Sequence, residues 1–130
     1  MKALDTNVLA RLLLQDDAAQ FKRAKALLDS GPVFTAPVTV MLELVWVLES
    51  KDCRPAEIAH AIAMLLDLPN FRLAQADAVR AALGAYAQGI DFADALHLGM
   101  SIGADAFLTF DKAFAKRAPG VGYGVPVHAV

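Results

Sequence analysis

Apolar residues recur along the chain at helical spacing and are interrupted at short intervals by Gly, Pro and polar pairs. Ala3-Leu4 reads as the end of a strand, followed at once by a helix through Val8, Leu9, Leu12 and Leu13. A second helix, from Asp17 to Leu28, stops at Ser30-Gly31-Pro32. Val33-Phe34-Thr35 reads as a strand, and Pro37 suits the first turn of a helix over Val38 to Ser50. Pro55 opens a helix over Ala56 to Leu66, ended by Leu68-Pro69-Asn70. Phe71-Arg72-Leu73 is a short strand, and a helix over Ala76 to Ala87 is closed by Gly89. Asp91 opens a helix that runs to Ile102 before Gly103. Ala106 to Thr109 is the strongest strand, Asp111 to Arg117 a short helix, and Val125-Pro126-Val127 an edge strand where Pro is tolerated. Strands alternating with helices predict an α/β fold around a small, mainly parallel sheet, well covered by helices.

Composition narrows this picture. At 130 residues the chain suits one domain, since two separate cores would each be small. Hydrophobic residues make up 57% and charged residues 20%, with a mean hydropathy of +0.44, which excludes disorder. The longest apolar stretch, Val38 to Leu48, is broken by Glu43 and falls short of the ~20 residues of a membrane span. The apolar surplus is therefore expected in a large core and in contact with a protein partner. A net charge of −2 argues against a broad basic surface, so any contact with nucleic acid must be local or metal-assisted. One cysteine, Cys53, can form neither an internal disulfide nor a cysteine-built zinc site. The opening MKALDTN shows no apolar signal segment, and a reducing cytoplasm is the expected location.

In parallel sheets, function gathers at the carboxyl ends of the strands. Asp5 and Asp111 each fall at such an end, and each also precedes a helix that it can cap. Glu43 shares a helical stripe with Val40 and Val47, where an ionised carboxylate is costly unless paired or bound to metal. The bland alternative is a half-exposed polar stripe or an ion pair with a distant Arg. Asp91 and Asp94 share the first turn of one helix, with Asp91 at the capping position and Asp94 left as the functional carboxylate. If Asp5, Glu43, Asp94 and Asp111 meet, like charges cannot all stay ionised without a counter-charge, and no Lys or Arg is interleaved among them. A hard divalent cation, Mg²⁺ or Mn²⁺, resolves the conflict and suits phosphodiester hydrolysis.

These residues also carry a resemblance. Leu4-Asp5-Thr6-Asn7, an acid in the helix after Pro37, Asp91-Phe92-Ala93-Asp94-Ala95-Leu96-His97 and Leu108-Thr109-Phe110-Asp111 together resemble the PIN-domain nucleases. Within them the chain is similar to the VapC-type toxins of bacterial toxin–antitoxin pairs, over essentially its full length. The resemblance implies a three-layer α/β/α sandwich over residues 1–130 and an Mg²⁺- or Mn²⁺-dependent ribonuclease site. Carried over by position, its acids are Asp5, Glu43, Asp94 and Asp111, the last acting directly or through water. Thr6 and Thr109 match the family's hydroxyl residues, and Asn7 matches a residue that orients the first acid. Asp91 matches an acid present in only part of the family, so ligand and cap both stay open for it. The resemblance also implies a homodimer, and a small antitoxin that covers a hydrophobic groove and places a basic side chain in the acidic site. Trp46 and Leu65-Leu66 suit either that groove or the core. Arg11, Lys112, Lys116 and Arg117 flank Asp5 and Asp111 and are candidate contacts to RNA phosphates, or ordinary solvated charge. His97 reads as a structural or supporting residue.

Two other readings compete. A haloacid dehalogenase-like phosphatase needs an acid two residues after the first Asp, where this chain has Asn7. A catalytically silent PIN-like binding or assembly module has no use for uncompensated carboxylates.

Overall fold

The spacing of apolar residues and the caps between them account for most of the elements seen. The computed structural model describes all residues from Met1 to Val130. Strand β1 (Lys2–Ala3) leads into α1 (Thr6–Leu14), and α2 (Ala18–Asp29) is capped by the Asp17 carboxylate on the Gln20 N–H. Then follow β2 (Phe34–Thr35), α3 (Val38–Ser50) and α4 (Pro55–Leu66). Pro37 precedes α3 and Pro55 begins α4, positions at which a missing N–H leaves no hydrogen bond unmade. Next come α5 (Ala76–Ala87), α6 (Phe92–Gly99), β3 (Phe107–Thr109), α7 (Lys112–Arg117), a 3₁₀ turn (Ala118–Val121) and β4 (Val127–Ala129). No helix is long and apolar enough to cross a membrane.

The chain divides into two compact units, Met1–Ala76 and Asp77–Val130. In the first, β1 and β2 run parallel, with Lys2 opposite Phe34 and Ala3 opposite Thr35. Helix α1 packs on α2 and α3, and α3 on α4. Leu9, Phe34, Met41, Leu44, Ile58 and Ile62 are essentially fully buried. Phe71 to Leu73, expected as a strand, makes only a single bridge from Phe71 to Phe34. The turn before it is held by Asn70, whose Nδ2 donates to Leu28 O at 2.6 Å and to Pro32 O at 3.3 Å.

In the second unit β3 and β4 run parallel, with Phe107 opposite Val127 and Thr109 opposite Ala129. Leu98, Phe114 and Ala118 form its core with Ile90, Phe107, Tyr123, Val125 and Val127 around them. The rings of Phe107 and Phe114 meet edge to face at 6.0 Å. Strand β4 begins two residues later than the expected Val125, because Pro126 has no N–H for the ladder and contributes only its carbonyl, which accepts from Phe107 N at 2.8 Å. Helix α6 ends at Gly99, short of the expected Ile102. The Ser101 hydroxyl donates to His97 O at 2.7 Å, and Gly103 turns the chain at φ 97°. All strand pairs are parallel and flanked by helices, so the fold class is α/β, in two two-stranded sheets.

Candidate functional site

In the first unit, Asp5 follows β1 and caps α1, its Oδ1 accepting the Thr6 N–H at 2.8 Å. Thr6 is 2% exposed, and its Oγ1 is buried without a hydrogen-bond partner. A hydroxyl with a free hydrogen bond thus lies beside the first acid. Asn7, expected to orient Asp5, makes no hydrogen bond to it. It lines a groove of about 290 Å³ with Val8, Arg11, Gln20, Arg23, Ala24 and Leu27.

Glu43 and Trp46 correct the sequence reading of α3. Thr39, Glu43, Trp46 and Ser50 are all exposed and lie on one stripe of the helix, opposite buried Met41, Leu44, Val45 and Leu48. Glu43 therefore faces water rather than an apolar surface, and its carboxylate carries no burial cost. Trp46 is 68% exposed, whereas Leu65 and Leu66 are core.

The second unit brings Asp91, Asp94 and Asp111 to one pocket of about 220 Å³, lined also by Gly89, Ile90, Phe114 and Arg117. Asp91 caps α6, its Oδ2 accepting the Asp94 N–H at 3.1 Å. Asp111 caps α7, its Oδ1 accepting the Phe114 N–H at 2.9 Å. The Asp111 N–H in turn donates to Thr109 Oγ1 at 3.0 Å, which closes the turn between β3 and α7. Among the acids singled out from the sequence, the capping reading thus holds for Asp5, Asp91 and Asp111. Asp94 caps nothing, and its carboxylate accepts no hydrogen bond.

Burial raises the Asp94 carboxyl above the usual carboxylate range, the charge of Asp91 adds to this, and that of Asp111 adds less. Its place in the first turn of α6 favours the charged form, yet burial prevails. His97, exposed on the same helix, opposes the rise through its positive form.

The expected absence of a nearby cation is corrected in this unit. Arg117 lines the aspartate pocket, but it donates through Nη1 to Gly89 O at 3.0 Å and through Nη2 to Gln88 O at 3.4 Å. Its guanidinium thereby stabilises the carbonyl end of α5 and forms no ion pair with the aspartates. Arg11 is similarly engaged, pairing with Asp16 at 2.6 Å, so neither arginine is a freely solvated phosphate contact. Lys112 and Lys116 are exposed on α7 and form no ion pair.

The donor set tests the metal reading. No three His, Cys, Asp or Glu side chains stand close enough together to ligate one ion. The hard oxygen donors of Asp91, Asp94 and Asp111 nonetheless suit Mg²⁺ or Mn²⁺ held by one or two carboxylates, with water and substrate phosphate completing the shell. The pocket fits a cation of that kind and not a dedicated protein cage.

The PIN domain family matches this chain over residues 2–119. The chain belongs to the PIN-domain family. The matched span includes every acid singled out from the sequence, Asp5, Glu43, Asp91, Asp94 and Asp111. PIN domains are generally metal-dependent nucleases, so membership implies a nuclease-type function in general terms. No curated protein and no solved structure matches the chain. The PIN-domain assignment leaves the haloacid dehalogenase-like reading without support. Sequence reasoning named Arg117 as a neighbour of Asp111 and a candidate phosphate contact but missed its bonds to backbone carbonyls. No local signal points to those partners, since Gln88 and Gly89 lie 29 and 28 residues away.

Proposed function

We propose that this PIN domain, one domain over residues 1–130, is a metal-dependent ribonuclease of the VapC type, the toxin half of a toxin–antitoxin pair. Its acids are Asp5, Glu43, Asp94 and Asp111, with Asp5 and Glu43 assigned from their motif positions. The observation that carries the reading is Asp94. Within a PIN-domain match it is the carboxylate of the aspartate pocket with no hydrogen bond of its own, raised by burial and by two like charges. Such a group is costly to a fold and useful to a site.

Asp94 and Asp111 would hold Mg²⁺ or Mn²⁺, which when bound polarises a phosphodiester and activates water. The chain's own residues set the frame. Asp91 orients the first turn of α6 beneath Asp94, and Thr109 fixes the backbone of Asp111. Thr6 holds Asp5 through its backbone N–H. Asn7 supports the first acid by motif position alone. Lys112 and Lys116 are the free cations nearest in sequence to Asp111 and supply phosphate contacts. The partners in this reading are an RNA substrate, a small antitoxin on an apolar groove, and a second copy of the chain, all in the cytoplasm. The exposed Trp46 and Met64 are apolar side chains that a partner can cover, and Val8, Ala24 and Leu27 give the groove between α1 and α2 an apolar part.

One observation favours the alternative of a silent PIN-like module: no ready-formed set of three metal-ligating side chains. Cleavage of a mixed RNA pool, with Mn²⁺, with EDTA and with Asp94→Asn, separates the two. Metal-dependent cutting that is lost in the variant supports the nuclease. Neither cutting nor Mn²⁺ binding by antitoxin-free protein leaves the binding module.

A further inference from the structure

Phe110 is 85% exposed, more than any other large hydrophobic residue of the chain, and it immediately precedes Asp111. It belongs to neither hydrophobic core, and its ring has no aromatic neighbour. Its backbone is nonetheless held in place. The Asp111 N–H binds Thr109 Oγ1 across it, while Asp111 Oδ1 binds Phe114 N, so hydrogen bonds hold the backbone on both sides of the ring. An exposed phenyl group costs solubility unless something covers it, and one on a held backbone loses only side-chain freedom when it is covered.

The neighbouring groups indicate what covers it. Asp111, the next residue, lines the aspartate pocket with Asp91 and Asp94, and without a metal ion these carboxylates repel a polyanion. Arg117, the cation lining that pocket, is engaged with backbone carbonyls. A grip on the uncharged part of a nucleotide escapes that repulsion. A base stacked on an aromatic ring is such a grip, tolerant of sequence and independent of the acids. Lys112 and Lys116, exposed on the helix that Asp111 caps, are placed to take the phosphates on either side.

We propose that Phe110 is the stacking platform for one unpaired nucleobase of a single-stranded RNA, next to the phosphodiester presented to the aspartate pocket. The proposal rests on the ribonuclease reading and assigns it a substrate-binding residue. It commits the site to single-stranded rather than paired RNA, because a base inside a duplex offers no free face.

The test uses the full chain carrying Asp94→Asn, which binds without cutting, and a 12-nucleotide unstructured RNA with 2-aminopurine at successive positions. Stacking on Phe110 quenches the fluorescence of one position. Phe110→Ala abolishes that quenching and weakens binding about 5- to 100-fold, the range of a lost base–aromatic stack. Phe110→Tyr restores both, and Tm is unchanged because the ring packs in no core. In the otherwise wild-type chain, Phe110→Ala raises KM with little change in kcat. Wild-type binding and quenching in Phe110→Ala overturn the proposal while the nuclease stands. A change in sedimentation with RNA binding intact overturns it in favour of a contact between copies. Failure of the wild-type chain to bind or cut any RNA in Mg²⁺ or Mn²⁺ removes the nuclease reading and this one with it.

Discussion

The Asp91 carboxylate both holds Asp94 and opposes it: its Oδ2 accepts the Asp94 N–H at 3.1 Å, and its charge helps lift the Asp94 carboxyl above the usual range. Capping and electrostatics therefore separate on substitution. Asp91→Asn keeps an acceptor for the cap but removes the charge, so the Asp94 titration moves down toward an ordinary aspartate. Asp91→Ala also loses the cap and costs about 0.5–2 kcal/mol of stability. Carboxyl-carbon NMR titration of Asp94 in both variants checks the shift; an unmoved midpoint in Asp91→Asn excludes the coupling.

Asp94 makes stability depend on pH in a stated direction. A carboxyl raised in the folded state binds its proton more tightly than in the unfolded chain, so stability falls as pH rises from the ordinary aspartate value through the raised one. Asp94→Asn removes that penalty. Its Tm is expected to exceed that of the wild-type chain at pH 7 and to coincide with it near the acid end, below the ordinary aspartate range. Equal Tm values across that whole span exclude the burial cost. The same variant is expected to lose RNA cleavage, so stability and activity move in opposite directions.

Arg117 and the two lysines of α7 are predicted to play different parts. Arg117→Ala leaves two carbonyls at the end of α5 without their charged donor, and a loss of about 1–2 kcal/mol in denaturant unfolding is expected. Lys112→Ala and Lys116→Ala leave stability unchanged and each lower the slope of log K against log salt for single-stranded RNA by about 0.7. A salt slope that instead follows Arg117 reverses this assignment.

Gly89 lies at φ 103°, and a Cβ there would stand 3.1 Å from Arg117 Nη2. Gly89→Ala is expected to cost about 1–2 kcal/mol from the left-handed backbone alone. It also makes the Arg117 guanidinium give by a few tenths of an ångström beside its carbonyl partners. A double variant with Arg117→Ala should then lose less than the sum of the two single losses. Full additivity by denaturant unfolding shows the two sites to be independent.

Asn70→Ala removes both donors that join the turn after α4 to Leu28 O and Pro32 O. A loss of about 1–3 kcal/mol is expected, chiefly from the part-buried bond to Leu28 O. Amide exchange at Phe34, whose N–H donates to Asn70 O at 2.7 Å, should accelerate with it. Unchanged protection at Phe34 shows that the turn persists without the side chain.

Local chemistry determined much of this protein from sequence alone. Helices α3 and α5 run over the expected residues, because Pro37 and the flanking polar residues set boundaries that need no distant partner. The capping roles of Asp5, Asp91 and Asp111 were readable for the same reason, since a cap and its N–H lie within three residues. The order of the acidic motifs was enough to indicate the family. Tertiary structure decided what spacing cannot encode. Glu43 reads as an apolar-face residue because Val40 and Val47 share its stripe, and Trp46 suits groove or core alike, yet the packing of α3 leaves both side chains in water. Arg117 reads as a phosphate contact or a solvated charge until the fold brings Gln88 and Gly89 to it. Periodicity marks which residues share a face and carries no record of what covers that face. Burial, and with it the raised Asp94 carboxyl, is a property of neighbours that only the folded chain assembles.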